Sequence, residues 1–549
     1  MKTETVKFQI SGMTCDNCAR TVEKSVRGKE GLVEGKVSYK DKTGEFTFDP
    51  GKMTKEKIIA AINATGHYKV AGEITDNPEG DSKQYDLIII GGGSAAFAAA
   101  IRAEELGLST LMVNDMLPVG GTCVNVGCVP SKNLIRAAES LHKAAISPFR
   151  GVHPRGADLD YKEIISQKRE LVGTLRQKKY KDILEGLENV TFVRGFAEFT
   201  DEHTIITDGS QTYKGLKFLI ATGASTQIPP VSGLERIRYL TNRSLFELEI
   251  QPESLIVLGG GYIALEIAQA WQRLGTKVTL LQRSAHVLSR QTADVAEEIT
   301  KHLRDEGVEI HTALEFRQVT EKGNKKAVTV VRNGKTLTFE AEQLLVSTGI
   351  RPNTDRLGTE RIGLELTGTG HIRVNKHLET NISHIFAAGD CIDTPAYVYT
   401  AAYEGKLAVE NAFTGAGREA GYTGMPWVVF TDPEVAGVGM DEKEAESKGI
   451  PYEVSRVDLS DVPRSLAALD TRGFVKLIRN PENDLLLGAR IVAPGGSELT
   501  MELSLAIKYG IPVSELAASF HAYLTLSEAV KLAAIGFGRD VKTLSCCAV

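Results

Sequence analysis

Leu87-Ile88-Ile89-Ile90-Gly91-Gly92-Gly93-Ser94-Ala95-Ala96 decides how most of this chain folds. Four apolar residues in a row read as a strand buried on both faces, and the glycines let the backbone turn at once into a helix. The pattern is G-x-G-x-x-A. Gly91 and Gly93 bring bare backbone up to a pyrophosphate at the helix N-terminus, and Ala96 lets helix and strand pack closely. The match is weak alone and becomes specific with a strand before it and a helix after it. A second copy, Leu255-Ile256-Val257-Leu258-Gly259-Gly260-Gly261-Tyr262-Ile263-Ala264, puts Gly259, Gly261 and Ala264 in the same three places. Two fingerprints imply two dinucleotides held by two doubly wound α/β domains.

The second strand after the second copy ends Leu280-Leu281-Gln282-Arg283-Ser284, with no carboxylate to accept the ribose hydroxyls of NAD. Arg283, helped by His286 or Arg290, suits a 2′-phosphate, so NADPH is the expected nucleotide; the competing reading is a solvated arginine.

Around these motifs the chain is ordinary. Its 549 residues suggest three to four domains, and 42% hydrophobic with 24% charged residues is typical of a soluble globular protein. The longest charge-free stretch, Leu87–Ile101, is too short to span a bilayer, and no secretory leader is visible, so a cytoplasmic protein without a membrane span is expected. A net charge of −6 argues against nucleic acid as a partner. Residues 1–70 carry thirteen Lys and Arg against nine Asp and Glu, a balance of +4. The remainder, 51 against 61, carries −10. Fluctuation explains this as well as does transient docking of a small basic module on an acidic body.

Seven cysteines cannot staple a chain this long, yet six fall into three close pairs: Cys15 and Cys18, Cys123 and Cys128, Cys546 and Cys547. In a reducing compartment such pairs point to metal or redox chemistry. Residues 1–70 read as strand, helix, two strands, helix, strand, a ferredoxin-like order in which Val6–Ile10 alternates and Ile58, Ile59 and Ile62 recur at helical spacing. Gly12-Met13-Thr14-Cys15-Asp16-Asn17-Cys18 places its two thiols on a loop opening a helix, where the partial positive charge favours thiolate, a soft ligand. The run resembles the heavy-metal-associated domain, which implies Cys15 and Cys18 as ligands to a soft ion without naming the metal.

Gly120-Gly121-Thr122-Cys123-Val124-Asn125-Val126-Gly127-Cys128-Val129-Pro130-Ser131-Lys132 resembles the active-site helix of the FAD-dependent pyridine nucleotide–disulfide oxidoreductases. Ala221-Thr222-Gly223, Ser347-Thr348-Gly349, Ile385-Phe386-Ala387-Ala388-Gly389-Asp390 and the run from Pro426 to Glu434 agree with it. The resemblance implies FAD, held by Gly91, Gly93, Ala96, Gly121, Thr122, Lys132, Gly223 and Asp390. It makes Cys128 the thiolate beside the flavin and Cys123 the exchanging sulfur, Tyr262 the gate of the nicotinamide pocket, and Lys132 and Glu266 an ion pair near the flavin. The family's ribose-binding Glu is missing: counting from Gly107 puts Asn114 there, and counting back from Gly120 puts Asp115 there.

Disulfide reductases of this family protonate a thiol leaving group with a His five residues before a Glu. Here Tyr523 stands five before Glu528, and His521 stands seven before it. The chain ends Ser545-Cys546-Cys547-Ala548-Val549, two thiols on a terminus. With Tyr262 and Tyr523, this constellation resembles the mercuric reductases. That implies mercury(II), delivered as thiol complexes or by mercury-carrying proteins, entering on Cys15 and Cys18, passing to Cys546 and Cys547 and then to Cys123 and Cys128, and leaving as Hg(0). It also implies a homodimer whose tail reaches the partner's flavin site. Two rivals stay open: an NADPH-dependent thiol-disulfide reductase with a metal-binding appendage, and a non-enzymatic soft-metal chaperone.

The expected order is therefore a metal-binding domain at 1–71, a linker at 72–83 and the FAD-binding domain at 84–235 and 353–423, interrupted by an NADPH-binding domain at 236–352. An α+β dimerisation domain with the cysteine tail follows at 424–549. Cys391 is expected to pack beside the flavin, and His142, His153 and His203 to lie on the surface.

Overall fold

The computed structural model describes residues 3–13, 16–74 and 83–544. Cys15, Cys546, Cys547 and most of the linker lie outside the described residues. The chain divides into two compact units, Met1–Gln84 with Thr204–Lys214, and Tyr85–His203 with Gly215–Val549.

The first unit contains β1 (Glu4–Ser11), α1 (Asp16–Val26), β2 (Leu32–Ser38), β3 (Thr43–Phe48), α2 (Lys55–Asn63) and β4 (Lys69–Ile74). The strands form an antiparallel sheet in the order β2-β3-β1-β4. Alternation in β1 sends Val6, Phe8 and Ile10 inward onto Val22 of α1 and Ile58 and Ile62 of α2, all buried. β4 continues past Ala71 to Ile74, because its Gly72–Ile74 segment pairs with Lys7–Gln9 of β1.

The second unit opens with β5 (Gln84–Ile90), α3 (Ser94–Glu105) and β6 (Thr110–Asn114). α4 (Gly121–Val126), α5 (Cys128–Ala145), α6 (Tyr161–Arg176) and β7 (Val190–Arg194) follow. β5, β6 and β7 run parallel, and Phe218–Ile220 pairs in parallel with Ile385–Ala387, so the later segment completes the first sheet after a long excursion. The excursion is the second doubly wound fold. Its parallel strands Ser254–Leu258, Lys277–Leu281, Glu309–His311 and Gln343–Val346 pack on the helix Tyr262–Arg273. The last domain is a five-stranded antiparallel sheet, Pro426–Val429 through Leu486–Ala493, covered by Thr500–Tyr509 and Glu528–Ile535. Among the described residues no helix is long and apolar enough to cross a membrane.

Candidate active site

The two glycine turns share one backbone design. Gly91 has φ +138°, and a Cβ on it would sit 2.2 Å from the carbonyl oxygen of Ala221; Gly259 has φ +115°, and a Cβ on it would sit 2.2 Å from that of Ser347. Only glycine meets both demands. Gly93 and Gly261 cap their helices without a side-chain hydrogen bond, which leaves first-turn N–H groups for a ligand. Gly121 lies on the first turn, since a Cβ there would stand 2.7 Å from Gly93 Cα. The Thr222 hydroxyl, next to Gly223, is buried without a hydrogen-bond partner. Asp390 follows Gly389 at φ +75°, and burial holds its carboxyl above the usual range. Bare backbone, open amides and an unpartnered buried hydroxyl fit a dinucleotide such as FAD.

β6 ends at Asn114, the last residue to pair with β7, opposite Arg194. A Cβ on Gly92 would meet Asn114 Cγ at 2.5 Å; one on Gly260 would meet Gln282 Cδ at 3.2 Å. The strand-end position thus carries an amide in both folds, with Asp115 and Arg283 one residue beyond. Asn114 Nδ2 donates to Leu117 O at 2.8 Å, fixing the amide. Arg283 and Arg290 are exposed, while His286 bonds through Nδ1 to the Val287 carbonyl. Ala96 and Ala264 are fully buried, as close helix packing requires.

The dithiol sits where α4 breaks and α5 begins. Gly127, at φ −127° and ψ −113°, separates the helices and makes Cys128 the first residue of α5. Asn125 staples the preceding loop: its Nδ2 donates to the carbonyls of Pro118, Val119 and Gly121, and its Oδ1 accepts from Arg176 Nε at 2.7 Å. Cys123 and Cys128 are both free thiols, Cys123 half-buried and Cys128 exposed. The Cys123 thiol hydrogen-bonds to the Cys128 sulfur and, with the Lys132 charge one turn on, lowers Cys128 to about 7 against the opposing effects of burial and Glu266. The same hydrogen bond, with burial and the Cys128 charge, pushes Cys123 well up. One sulfur is held as thiolate near neutrality and the other as thiol. Lys132 Nζ lies 2.7 Å from Glu266 Oε2 and 4.5 Å from the Phe430 ring centroid. The other Glu266 oxygen accepts from the Phe430 amide at 3.0 Å.

Tyr262 opens the helix after the second glycine turn. Its ring stacks on Trp427 with centroids 5.5 Å apart, and its hydroxyl accepts a hydrogen bond from Gln291 Nε2 at 3.4 Å. Tyr397 stacks in parallel on Tyr399 at 5.3 Å. Burial pushes Tyr399 up to about 12, with Tyr262 and the Cys128 charge adding. Tyr523 lies on an exposed loop of the last domain. His521 Nε2 bonds to Glu502 at 2.6 Å, while buried Glu528 accepts from the Leu524 amide. The histidine is therefore tied to a different carboxylate from the one the disulfide-reductase arrangement uses.

In the small domain, Gly12 has φ +91° and would clash with His67 O at 2.3 Å if it carried a Cβ, so the loop bends sharply before α1. Met13 is buried beneath that loop, and Cys18 stands half-buried in the first turn of α1. His142 is half-buried rather than on the surface, and desolvation and Arg273 hold its imidazole below the ordinary range. His153 and His203 are exposed. The sequence reading missed Asn125, Gln291 and Arg490, each of which has a partner far away in the chain: Arg176 for Asn125, and one another for Gln291 and Arg490.

Residues 85–405 match the pyridine nucleotide-disulphide oxidoreductase family, 425–534 its dimerisation domain, and 7–67 the heavy-metal-associated domain. The chain is 38% identical to the mercuric reductase of Lysinibacillus sphaericus over 99% of both chains. It is 38% identical to that of Staphylococcus aureus over the whole of both. To that of Streptomyces lividans it is 42% identical over 84% of this chain and 98% of the other. Among solved structures, the HOCl-induced flavoprotein disulfide reductase RclA from Escherichia coli matches with a TM-score of 0.73 and 28% identity, over 82% of this chain and 99% of that one. The chain thus belongs to the mercuric reductase branch of the pyridine nucleotide-disulphide oxidoreductase family.

Proposed function

We infer that this chain reduces mercury(II) to volatile Hg(0) at the expense of NADPH, as a homodimeric FAD enzyme of mercury resistance. The reaction balances as NADPH plus Hg(II) giving NADP⁺, H⁺ and Hg(0). The observation that carries the reading is the Cys123–Cys128 pair, one sulfur lowered to about 7 at a helix start, in a chain whose full-length relatives are mercuric reductases. When bound, FAD relays the electron pair from NADPH toward this dithiol. The protein's own part is to hold two thiolates on a soft dication and to let go as the metal becomes neutral and ceases to be a Lewis acid.

In this reading Cys15 and Cys18 capture the metal from thiol complexes or a mercury-delivering protein. The tail pair Cys546 and Cys547 of a second copy receives it, and Cys123 and Cys128 hold it at reduction. Tyr262 gates the nicotinamide pocket and Tyr523 lines the metal's route. Arg283 takes the 2′-phosphate, and Lys132 with Glu266 sets the charge beside the dithiol. The tie between His521 and Glu502 speaks against the disulfide-reductase alternative, which needs an acid at the thiol leaving group.

The test is NADPH consumption by the holoenzyme with thiol-complexed Hg(II), trapping evolved vapour, with oxidised glutathione as the rival substrate. One Hg(0) per NADPH, negligible turnover of glutathione disulfide, and loss of turnover in Cys546→Ala/Cys547→Ala are expected. Preferential turnover of the disulfide, indifferent to that double substitution, would establish the alternative.

A further inference from the structure

One helix of the second unit touches both of the turns assigned to FAD. Ala401, Glu404 and Gly405 are buried on one face of the helix Val398–Thr414, three and four residues apart. Gly405 packs on the first turn of α3. A Cβ on it would stand 2.1 Å from the Ala95 carbonyl oxygen, so the two helices meet backbone to backbone. Ala401 packs on the later turn, since a Cβ on Gly389 would meet Ala401 Cβ at 3.3 Å and Ala95 Cβ at 3.5 Å. On the same face stands Glu404, fully buried. Its Oε2 accepts from the Gly389 amide at 2.7 Å and its Oε1 from the Tyr422 hydroxyl at 2.7 Å.

Tyr422 belongs to the stretch that leads into the last domain. Its ring lies edge-on to that of Tyr403, on the same helix as Glu404, and the Tyr403 hydroxyl accepts from the Gly421 amide at 3.1 Å. Two residues on, the Gly424 carbonyl accepts from the Ser504 hydroxyl of the last domain. The phenol is therefore held on both sides.

Packing alone does not call for a carboxylate here. Leu407 and Ala408 fill the same buried helix with apolar side chains, and a buried carboxyl costs free energy unless its oxygens find donors. Both donors to Glu404 are uncharged, so what they supply is direction. Burial raises the Glu404 carboxyl above its usual range, while Tyr422 and the Gly389 amide oppose that. Burial and the bond to Glu404 push the Tyr422 phenol well up, so its proton stays in place to be donated. The amide that Glu404 grips belongs to a left-handed glycine, φ +75°, whose peptide leads straight into Asp390.

We propose that Glu404 is a positioning residue for FAD, holding the Gly389-Asp390 turn in register with the first glycine turn, and that Tyr422 holds Glu404. The proposal rests on the assignment of FAD to these two turns. Glu404 acts through Asp390: with the Gly389 amide fixed, the Asp390 carboxyl is aimed before the cofactor arrives, and no binding energy is spent on ordering it.

The experiment uses the full-length flavin-loaded protein and reads the FAD dissociation constant from the fluorescence of flavin released on serial dilution. Glu404→Leu removes the acceptor and is expected to weaken FAD about 10- to 100-fold, the range for a hydrogen bond to a charged group. Glu404→Gln keeps an oxygen for the Gly389 amide and is expected to stay within about 3-fold of the parent, and Tyr422→Phe to weaken FAD about 3- to 10-fold. Parent-like affinity in Glu404→Leu, or a glutamine no better than the leucine, would overturn the proposal. Should Glu404→Leu fail to fold, Tyr422→Phe decides, and parent-like affinity there overturns it. A second readout is the gap in melting temperature between the flavin-loaded and flavin-free protein. Misplaced Asp390 narrows the gap, whereas a mere packing fault lowers both temperatures equally and would overturn positioning. Asp390→Ala tests the underlying assignment. If it leaves FAD affinity as it was, this turn does not bind FAD; if it weakens FAD while Glu404→Leu does not, the assignment stands and the role of Glu404 falls.

Discussion

The two glycine turns can be compared position by position. A Cβ on Gly91 would meet Ala221 O and one on Gly259 would meet Ser347 O at the same 2.2 Å, Gly92 faces Asn114 as Gly260 faces Gln282, and Gly93 and Gly261 both leave a helix start uncapped. What differs is what lies on the turn. On the first, Gly121 lays the dithiol loop against Gly93. On the second, the residue after the turn is an aromatic ring held by two neighbours, Trp427 and Gln291. The backbone half of each site is thus generic, and the chemistry is set by side chains one step away.

The comparison breaks most visibly at the glycines. Gly91→Ala forces a methyl into the Ala221 carbonyl at φ +138° and is expected to give a protein that folds without retaining flavin, seen as loss of yellow colour on gel filtration. Gly259→Ala meets the same clash but is expected to stay yellow and to lose NADPH-driven turnover by about 100-fold, the scale of a few kcal/mol of local strain. If both variants bleach, the turns are not independent.

A smaller effect separates the strand ends. Arg283→Ala is expected to lower kcat/KM for NADPH about 10- to 100-fold, as loss of a charge-assisted hydrogen bond does, and to leave NADH unchanged. Equal losses with both nucleotides would return Arg283 to the solvent.

The smallest concerns the loop only the first turn carries. Cys128 is a thiolate above about pH 7 and is protonated as pH falls through that value. Lys132 favours the anion and Glu266 opposes it, so Lys132→Met is expected to move the midpoint of the pH profile for iodoacetamide alkylation upward by roughly one unit, and Glu266→Gln to move it downward. Shifts of the same sign in both variants would show that packing, not charge, sets the thiol.

Both glycine turns and the loop that carries Cys123 and Cys128 were legible because each is written in about a dozen consecutive residues. The strand end was not. Counting from Gly107 and from Gly120 gave Asn114 and Asp115, and only the pairing of Asn114 with Arg194 of β7 decides where β6 stops. Nor was the extension of β4 to Ile74, which depends on pairing with β1 across the small domain. The Tyr262–Gln291–Arg490 line was invisible for the same reason. Its members are scattered over more than two hundred residues, and each alone reads as an ordinary aromatic, amide or cation.

Cys391 bears on how such a protein survives its own substrate. It is wholly buried, its sulfur turned toward the Ile220 and Ala388 carbonyls, and desolvation raises its thiol to about 12. A seventh thiolate in reach of the others would be a dead-end sink, titrating away cargo one equivalent per subunit and poisoning the catalyst stoichiometrically. Sequestered and protonated, this sulfur stays blind to the toxin.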